Sequence, residues 1–259
     1  MTADAARTRP LFPARPVRRT SPALRTARDL LAWFAQMGLV YWGIVLVAVV
    51  AVPFLVDRLG EVEVSIVWFA RQSGIWFPFS VLIGVAATYP AVHVASGMTR
   101  RAYVRGALLA AVVLGTVFAL VMTLLLEAER AWYGAMGWGW RLQDGWFAPD
   151  EGFGTVLLAY VATFVVANLS GMLVGTVYGA AGGWWGTLSL PLTVGPVFVV
   201  IALVDAGTGW LPFDDLLGAA RAAELAPLAV ALVAAVLAAA LAVAFHLIAV
   251  RRPVAPRRG

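Results

Sequence analysis

Six stretches of the chain are predominantly apolar for 21 residues or more, and charged residues gather almost entirely between them. They cover residues 36–56, 73–95, 106–126, 153–178, 184–204 and 225–250. At 1.5 Å rise per residue, about 20 helical residues cross the ~30 Å hydrocarbon core of a bilayer. All six are long enough, which predicts an all-α integral membrane protein with six transmembrane helices. Ahead of the first span the pattern changes. Leu24, Ala27, Leu31 and Phe34 fall on one helical face with Leu30 beside them, while Arg25, Arg28 and Asp29 fall on the other. Ser21-Pro22 supplies a cap and a first-turn proline. This pattern suits either a short helix in the plane of the inner interface or a continuous start to the first span. The polar face favours the in-plane helix over about residues 22–34, since charge inside lipid is costly.

Charge sets the orientation. With both termini inside, fourteen arginines lie in inner segments and five, Arg58, Arg71, Arg130, Arg141 and Arg221, in outer ones. Twelve of the fourteen acidic residues fall outside, leaving Asp4 and Asp29 within. The positive-inside rule, which counts arginine and lysine rather than net charge, therefore places both termini in the cytoplasm of a cell-membrane protein. Residues 1–21 read as a disordered basic tail, 22–250 as the transmembrane domain and 251–259 as a second basic tail. The first 30 residues lack the apolar core of a signal peptide, so the first span is expected to act as an uncleaved anchor.

The outer segment 127–152 holds Trp132, Tyr133, Trp138, Trp140, Trp146 and Phe147, the composition of an interfacial aromatic belt. Residues 205–224 read as a segment lying on or dipping into the outer interface. The turn 179–183 is short and uncharged, so the fourth and fifth spans are expected to be antiparallel neighbours.

Composition narrows the chemistry. The chain is 62% hydrophobic and 13% charged, against about 45–50% and about 25% in soluble domains. It has no cysteine and all nineteen of its basic residues are arginine. A P-loop needs a lysine at the phosphates, so the chain is not expected to hydrolyse ATP itself. Its basic character follows the ends of the spans, which argues for topology and against nucleic acid. His93 and His246 are the only histidines and have no carboxylate nearby in sequence, so no metal site is expected. Both read as interfacial. Strong ionisable candidates at mid-membrane, which a proton- or sodium-driven carrier would need, are also lacking.

In the fourth span Ala167, Gly171, Gly175 and Gly179 recur every four residues, a small-xxx-small stripe that lets another helix approach closely. Its partner could belong to this chain or to a second subunit. Asn168 and Ser170 stand beside it and are expected to hydrogen-bond across helices. A sharper reading makes Ser170 a nucleophile with His246 as base. This loosely resembles the rhomboid proteases, although Asn168 stands where those enzymes place a glycine. No catalytic residue is assigned.

The most informative polar stretch is Ala95-Ser96-Gly97-Met98-Thr99-Arg100-Arg101-Ala102-Tyr103-Val104-Arg105-Gly106, with three arginines in six positions between two spans. Those arginines could do no more than fix orientation. However, Gly97, Thr99, Arg100, Arg101 and then Tyr103 and Gly106 resemble the corresponding loop in the membrane subunits of type-2 exporter-class ABC transporters. The wider layout is similar as well. The resemblance implies a permease subunit, pairing with itself or a sister permease, and a separate cytoplasmic ABC ATPase that binds ATP and Mg. It further implies that Gly97 turns the loop, that Arg100 and Arg101 pair with acids on the ATPase, that Tyr103 packs into a groove on its surface, and that Thr99 and Arg105 belong to the same coupling loop. A hydrophobic or amphipathic substrate would be exported or moved between leaflets. The alternative is a membrane assembly or regulatory protein that docks a cytoplasmic partner without transport.

Overall fold

A computed structural model describes residues 21–142, 152–204 and 227–251. Residues 1–20, 143–151, 205–226 and 252–259 lie outside the described part, and with them both tails, Trp146, Phe147 and the expected interfacial segment 205–224. The described chain is all-helical apart from one isolated bridge between Val64 and Arg141. Its helices are α1 (Pro22–Asp57), α2 (Ile66–Ala95), α3 (Arg100–Met136), α4 (Phe153–Leu188), α5 (Leu190–Val204) and α6 (Pro227–Arg251). Five of these, all but α5, are long and apolar enough to cross a membrane.

The in-plane helix expected over residues 22–34 is not a separate element. Ser21 caps the start by accepting from Leu24 N at 3.2 Å, and the helix then runs unbroken for 36 residues, about 54 Å. No proline interrupts the helix before Pro53. The apolar stripe meets a partner within the bundle: Thr26, Ala27, Leu30 and Phe34 are buried. Gly106 of α3 makes that contact possible, because a Cβ there would sit 2.6 Å from the Ala23 carbonyl oxygen. The expected outer loops also shrink. Ile66–Gln72 is already α2, with Ser65 as its cap, and α3 continues ten residues past 126 to Met136, where Gly137 ends it at φ +71°.

Contacts between named residues fix the directions of the helices. Gly38 of α1 faces Phe118, and Ala23 faces Gly106, so α1 and α3 run parallel. Gly115 meets Val165, and Asn168 Nδ2 donates to Ala111 O at 3.1 Å, so α3 and α4 are antiparallel. Gly171 and Gly175 meet Phe79 and Ile83, so α2 and α4 run parallel. α4 breaks at Gly182 (φ +81°), and the arm beyond it folds back: Tyr178 Oη lies 3.0 Å from Thr187 Oγ1, and Ser170 Oγ donates to Thr193 O. The expected antiparallel pair at 179–183 is therefore present, with its second arm in two pieces, Gly183–Leu188 and α5.

α4 is the central helix, enclosed by α2, α3, α5 and α6. The outward faces of the peripheral helices carry bare aliphatics: Leu39, Ile44 and Val47 on α1, and Leu232, Val236 and Val243 on α6. A contiguous exposed apolar girdle of this kind has lipid as its natural solvent. The start of α1, the α2–α3 turn, Gly182 and the end of α6 share one end of the bundle, the arginine end, with Arg25, Arg28, Arg100, Arg101, Arg105 and Arg251. The opposite, acidic end has Asp57, Glu61, Glu63, Glu127 and Glu129.

Candidate functional site

The α2–α3 turn at the arginine end is short, and each of its residues has a local task. Ser96 ends α2, and Gly97 follows at φ +82°, a region that costs other residues about 1–2 kcal/mol. Gly97 N donates to Val94 O at 3.0 Å and Met98 N to His93 O at 3.3 Å, so the last carbonyls of α2 are satisfied. Thr99 caps α3, its Oγ1 accepting from Ala102 N at 3.2 Å. Gly97 thus turns the chain, as the resemblance implies, and Thr99, which is exposed, closes the turn as the cap of α3.

The basic residues of the turn part company. Arg100 is half-buried and its guanidinium donates to Val250 O at 3.3 Å, tying the start of α3 to the carbonyl end of α6. A cation at a helix C-terminus is favoured there by the helix dipole. Arg101 and Arg105 are exposed and stand four residues apart, on one face of α3. Tyr103 departs from the expectation that it would pack into a partner's groove. It is 2% exposed, inside the bundle, with ring centroids 5.5 Å from His93, 6.1 Å from Tyr89 and 6.4 Å from Phe245. It faces the other side of α3 from Arg101, and its large apolar body belongs in the core. His93 is buried in the same aromatic cluster and is not at an open interface.

The glycine stripe finds its partner in the same chain. Ala167, Gly171 and Gly175 are fully buried, and a Cβ at either glycine would overlap the carbonyl oxygens of Phe79 and Ile83 on α2. Gly179 falls outside the seam and is exposed just before the reversal. Ser170 is buried and its hydroxyl is engaged with the Thr193 carbonyl; among the described residues no hydrogen bond joins it to His246. Its role is to tie α4 to α5. Asn168 ties α4 to α3 through the Ala111 carbonyl, and its own Oδ1 is buried without a hydrogen-bond partner.

Sequence reasoning missed the strongest polar centre, at the acidic end. Glu129, 2% exposed, accepts from Ile66 N at 2.8 Å, Val67 N at 3.0 Å and Trp140 Nε1 at 3.2 Å, and from Ser65 Oγ. An anion against the free N–H groups that begin α2 is stabilised by hydrogen bonds and dipole together. The same corner is closed by Gly139 N donating to Val62 O at 2.9 Å, Ser65 N donating to Arg141 O at 3.2 Å and an Arg141–Glu63 ion pair. A signal existed: Met122, Leu126, Glu129 and Tyr133 follow helical spacing along one buried face, so Glu129 belonged to the core side of α3.

A cleft completes the polar features. Between the first turns of α1 and the later half of α2 there is an open cavity of about 510 Å³, lined by Asp29, Leu30, Trp33, Ser80, Val81, Gly84, Val85, Thr88 and Tyr89. Above it Tyr41 holds the two helices together: its hydroxyl donates to Ala70 O at 3.1 Å, lies 2.9 Å from Ser73 Oγ, and its ring stacks on Phe77 at 4.9 Å.

No family model, no curated protein and no solved structure matches this chain. The class that the architecture defines is an all-helical, multi-pass membrane protein, with one end tied by a buried carboxylate and the other presenting arginines.

Proposed function

We propose that the chain is the permease subunit of an ATP-driven transporter of the ABC kind, acting in the cell membrane as a dimer with itself or a sister subunit. It crosses the bilayer six times, the arm 183–204 supplying the fifth crossing over about 33 Å, with the arginine end in the cytoplasm. ATP and Mg belong to a separate ATPase, in keeping with a chain that has no lysine. The cargo is a hydrophobic or amphipathic molecule.

The observation that carries the reading is the exposed Arg101–Arg105 pair on the first turns of α3. The turn before it is set by Gly97 and Thr99, and Arg100 links it to α6. Force applied to the exposed arginines would therefore reach α2, α3 and α6 at once. Acidic side chains on a cytoplasmic ATPase are the complementary surface, and interfacial charge pairs of this kind set register and specificity.

The test is purification of the tagged protein from its native membranes, with ATP hydrolysis measured in the eluate. A double variant, Arg101→Glu with Arg105→Glu, should lose the ATPase while its unfolding temperature stays unchanged. Retention of the ATPase by that variant refutes the docking assignment. A retained ATPase that drives no movement of amphiphile in reconstituted vesicles favours the assembly or regulatory reading instead.

A further inference from the structure

We infer that the cleft between α1 and α2 is a binding site for a phospholipid with a zwitterionic phosphoethanolamine headgroup. The inference requires that the chain lie in a membrane, and it is independent of any ATPase. α1 and α2 are antiparallel neighbours, joined at their outer halves by Tyr41 and apart below it. The antiparallel run pairs Trp33 with the stretch around Val81 and places Asp29 towards Thr88 and Tyr89. The cleft thus has a polar mouth at the arginine end and an apolar interior of Leu30, Trp33, Val81 and Val85. A volume of about 510 Å³ lies within the usual range for small-molecule sites, about 300–1,000 Å³.

The charges at the mouth select the headgroup. Asp29 is the one acid at the arginine end among the described residues, and it lines the cleft. The Arg28 guanidinium is 3.8 Å from it, and Arg25 stands one turn below, both exposed. A negative group in the cleft lining, with Arg28 paired to it and Arg25 one helical turn away, is the complement of a headgroup that carries a phosphate and an amine. The phosphate would take Arg28 and Arg25, for which guanidinium has matched donors. The ammonium would take Asp29, with the Thr88 hydroxyl as a further acceptor. A quaternary ammonium has no N–H to give these oxygens, and an anionic headgroup without an amine would meet Asp29 as a like charge. The acyl chain would lie between α1 and α2, over Gly84.

Gly84 also provides the test, because a Cβ there would meet nothing within 4 Å. Gly84→Phe should fill the cleft without disturbing the bundle, and Gly84→Leu replaces it if phenylalanine lowers the unfolding temperature. Full-length protein in mild detergent is mixed with phosphatidylethanolamine, phosphatidylcholine and phosphatidylglycerol of identical chains, and bound lipid is counted by native mass spectrometry. Wild type should retain phosphatidylethanolamine roughly tenfold over the other two, about what one charge-assisted hydrogen bond confers. Gly84→Phe should abolish retention, and Asp29→Asn should erase the preference while leaving some lipid bound. Equal binding of the three lipids by wild type, undiminished lipid in the filled variant, or an unchanged preference in Asp29→Asn each overturns the inference. A chain that holds this lipid yet brings down no ATPase would overturn the proposed function alone.

Discussion

At the acidic end, the α1–α2 connection, the start of α2 and the end of α3 share one buried carboxylate and a set of backbone bonds across residues 62–66 and 139–141. At the arginine end, α1 and α2 stand apart around a cleft, and the α2–α3 turn presents Arg101 and Arg105 outward. The contrast has a simple origin. Glu129 sits on the face of α3 that also carries Tyr133, Leu126 and Met122, so burying the apolar face buries the acid, which must then find donors. Arg101 and Arg105 sit on the opposite side from Tyr103 and Ala107, so burying that face leaves them outside. One helix therefore fastens the bundle at one end and offers charge at the other.

Removing the fastening should have the largest effect. Glu129→Ala leaves two backbone N–H groups, a serine hydroxyl and an indole N–H without their acceptor, and is expected to cost about 3 kcal/mol. The readout is thermal unfolding in detergent, with Glu129→Gln losing less because it keeps an acceptor oxygen. Wild-type stability in the alanine variant would erase the distinction between the two ends. Next comes Gly175→Val, in the seam that both ends share. Its Cβ would overlap the Ile83 carbonyl oxygen, forcing α2 off α4 at a cost of about 1–3 kcal/mol. Gly179→Val, outside the seam, should be nearly silent in the same measurement.

Smaller effects belong to the arginine end. Gly97→Ala has open space for its methyl group, so its cost is backbone conformation alone, about 1 kcal/mol. A larger loss would mean that the turn is packed against something beyond this chain. Smallest of all, Arg101→Gln with Arg105→Gln should leave the unfolding temperature within error, since exposed side chains contribute about 0.5 kcal/mol or less. A clear destabilisation would show that these arginines hold the fold together and are not free for a partner.

Several features were legible in the residues alone. Apolar run length identifies a membrane protein, because nothing else solvates such surface. The four-residue spacing of Ala167, Gly171 and Gly175 marks a close helix seam, and the short uncharged stretch at Gly182 marks a reversal between antiparallel arms. The capping role of Thr99 was not read from the sequence, although a threonine just before an apolar helical run is a cap signal. Helix ends were less legible: α1, α2 and α3 all continue well past their apolar runs. Helix propensity and capping decide where a helix stops, whereas hydropathy reports only how much of it meets lipid.

What only the tertiary structure decided is which neighbour each face meets. Spacing showed that Gly171 and Gly175 pack closely but not that α2 of the same chain is the partner. Likewise, an arginine-rich turn contains Tyr103, yet only the assembled bundle turns that ring inward towards His93 and Phe245 and leaves Arg101 out. The pairing of Glu129 with the start of α2 joins residues more than sixty positions apart. Sequence periodicity fixes the faces of a helix, since that geometry is local. The choice of partner for each face is made by packing, and packing depends on every helix at once.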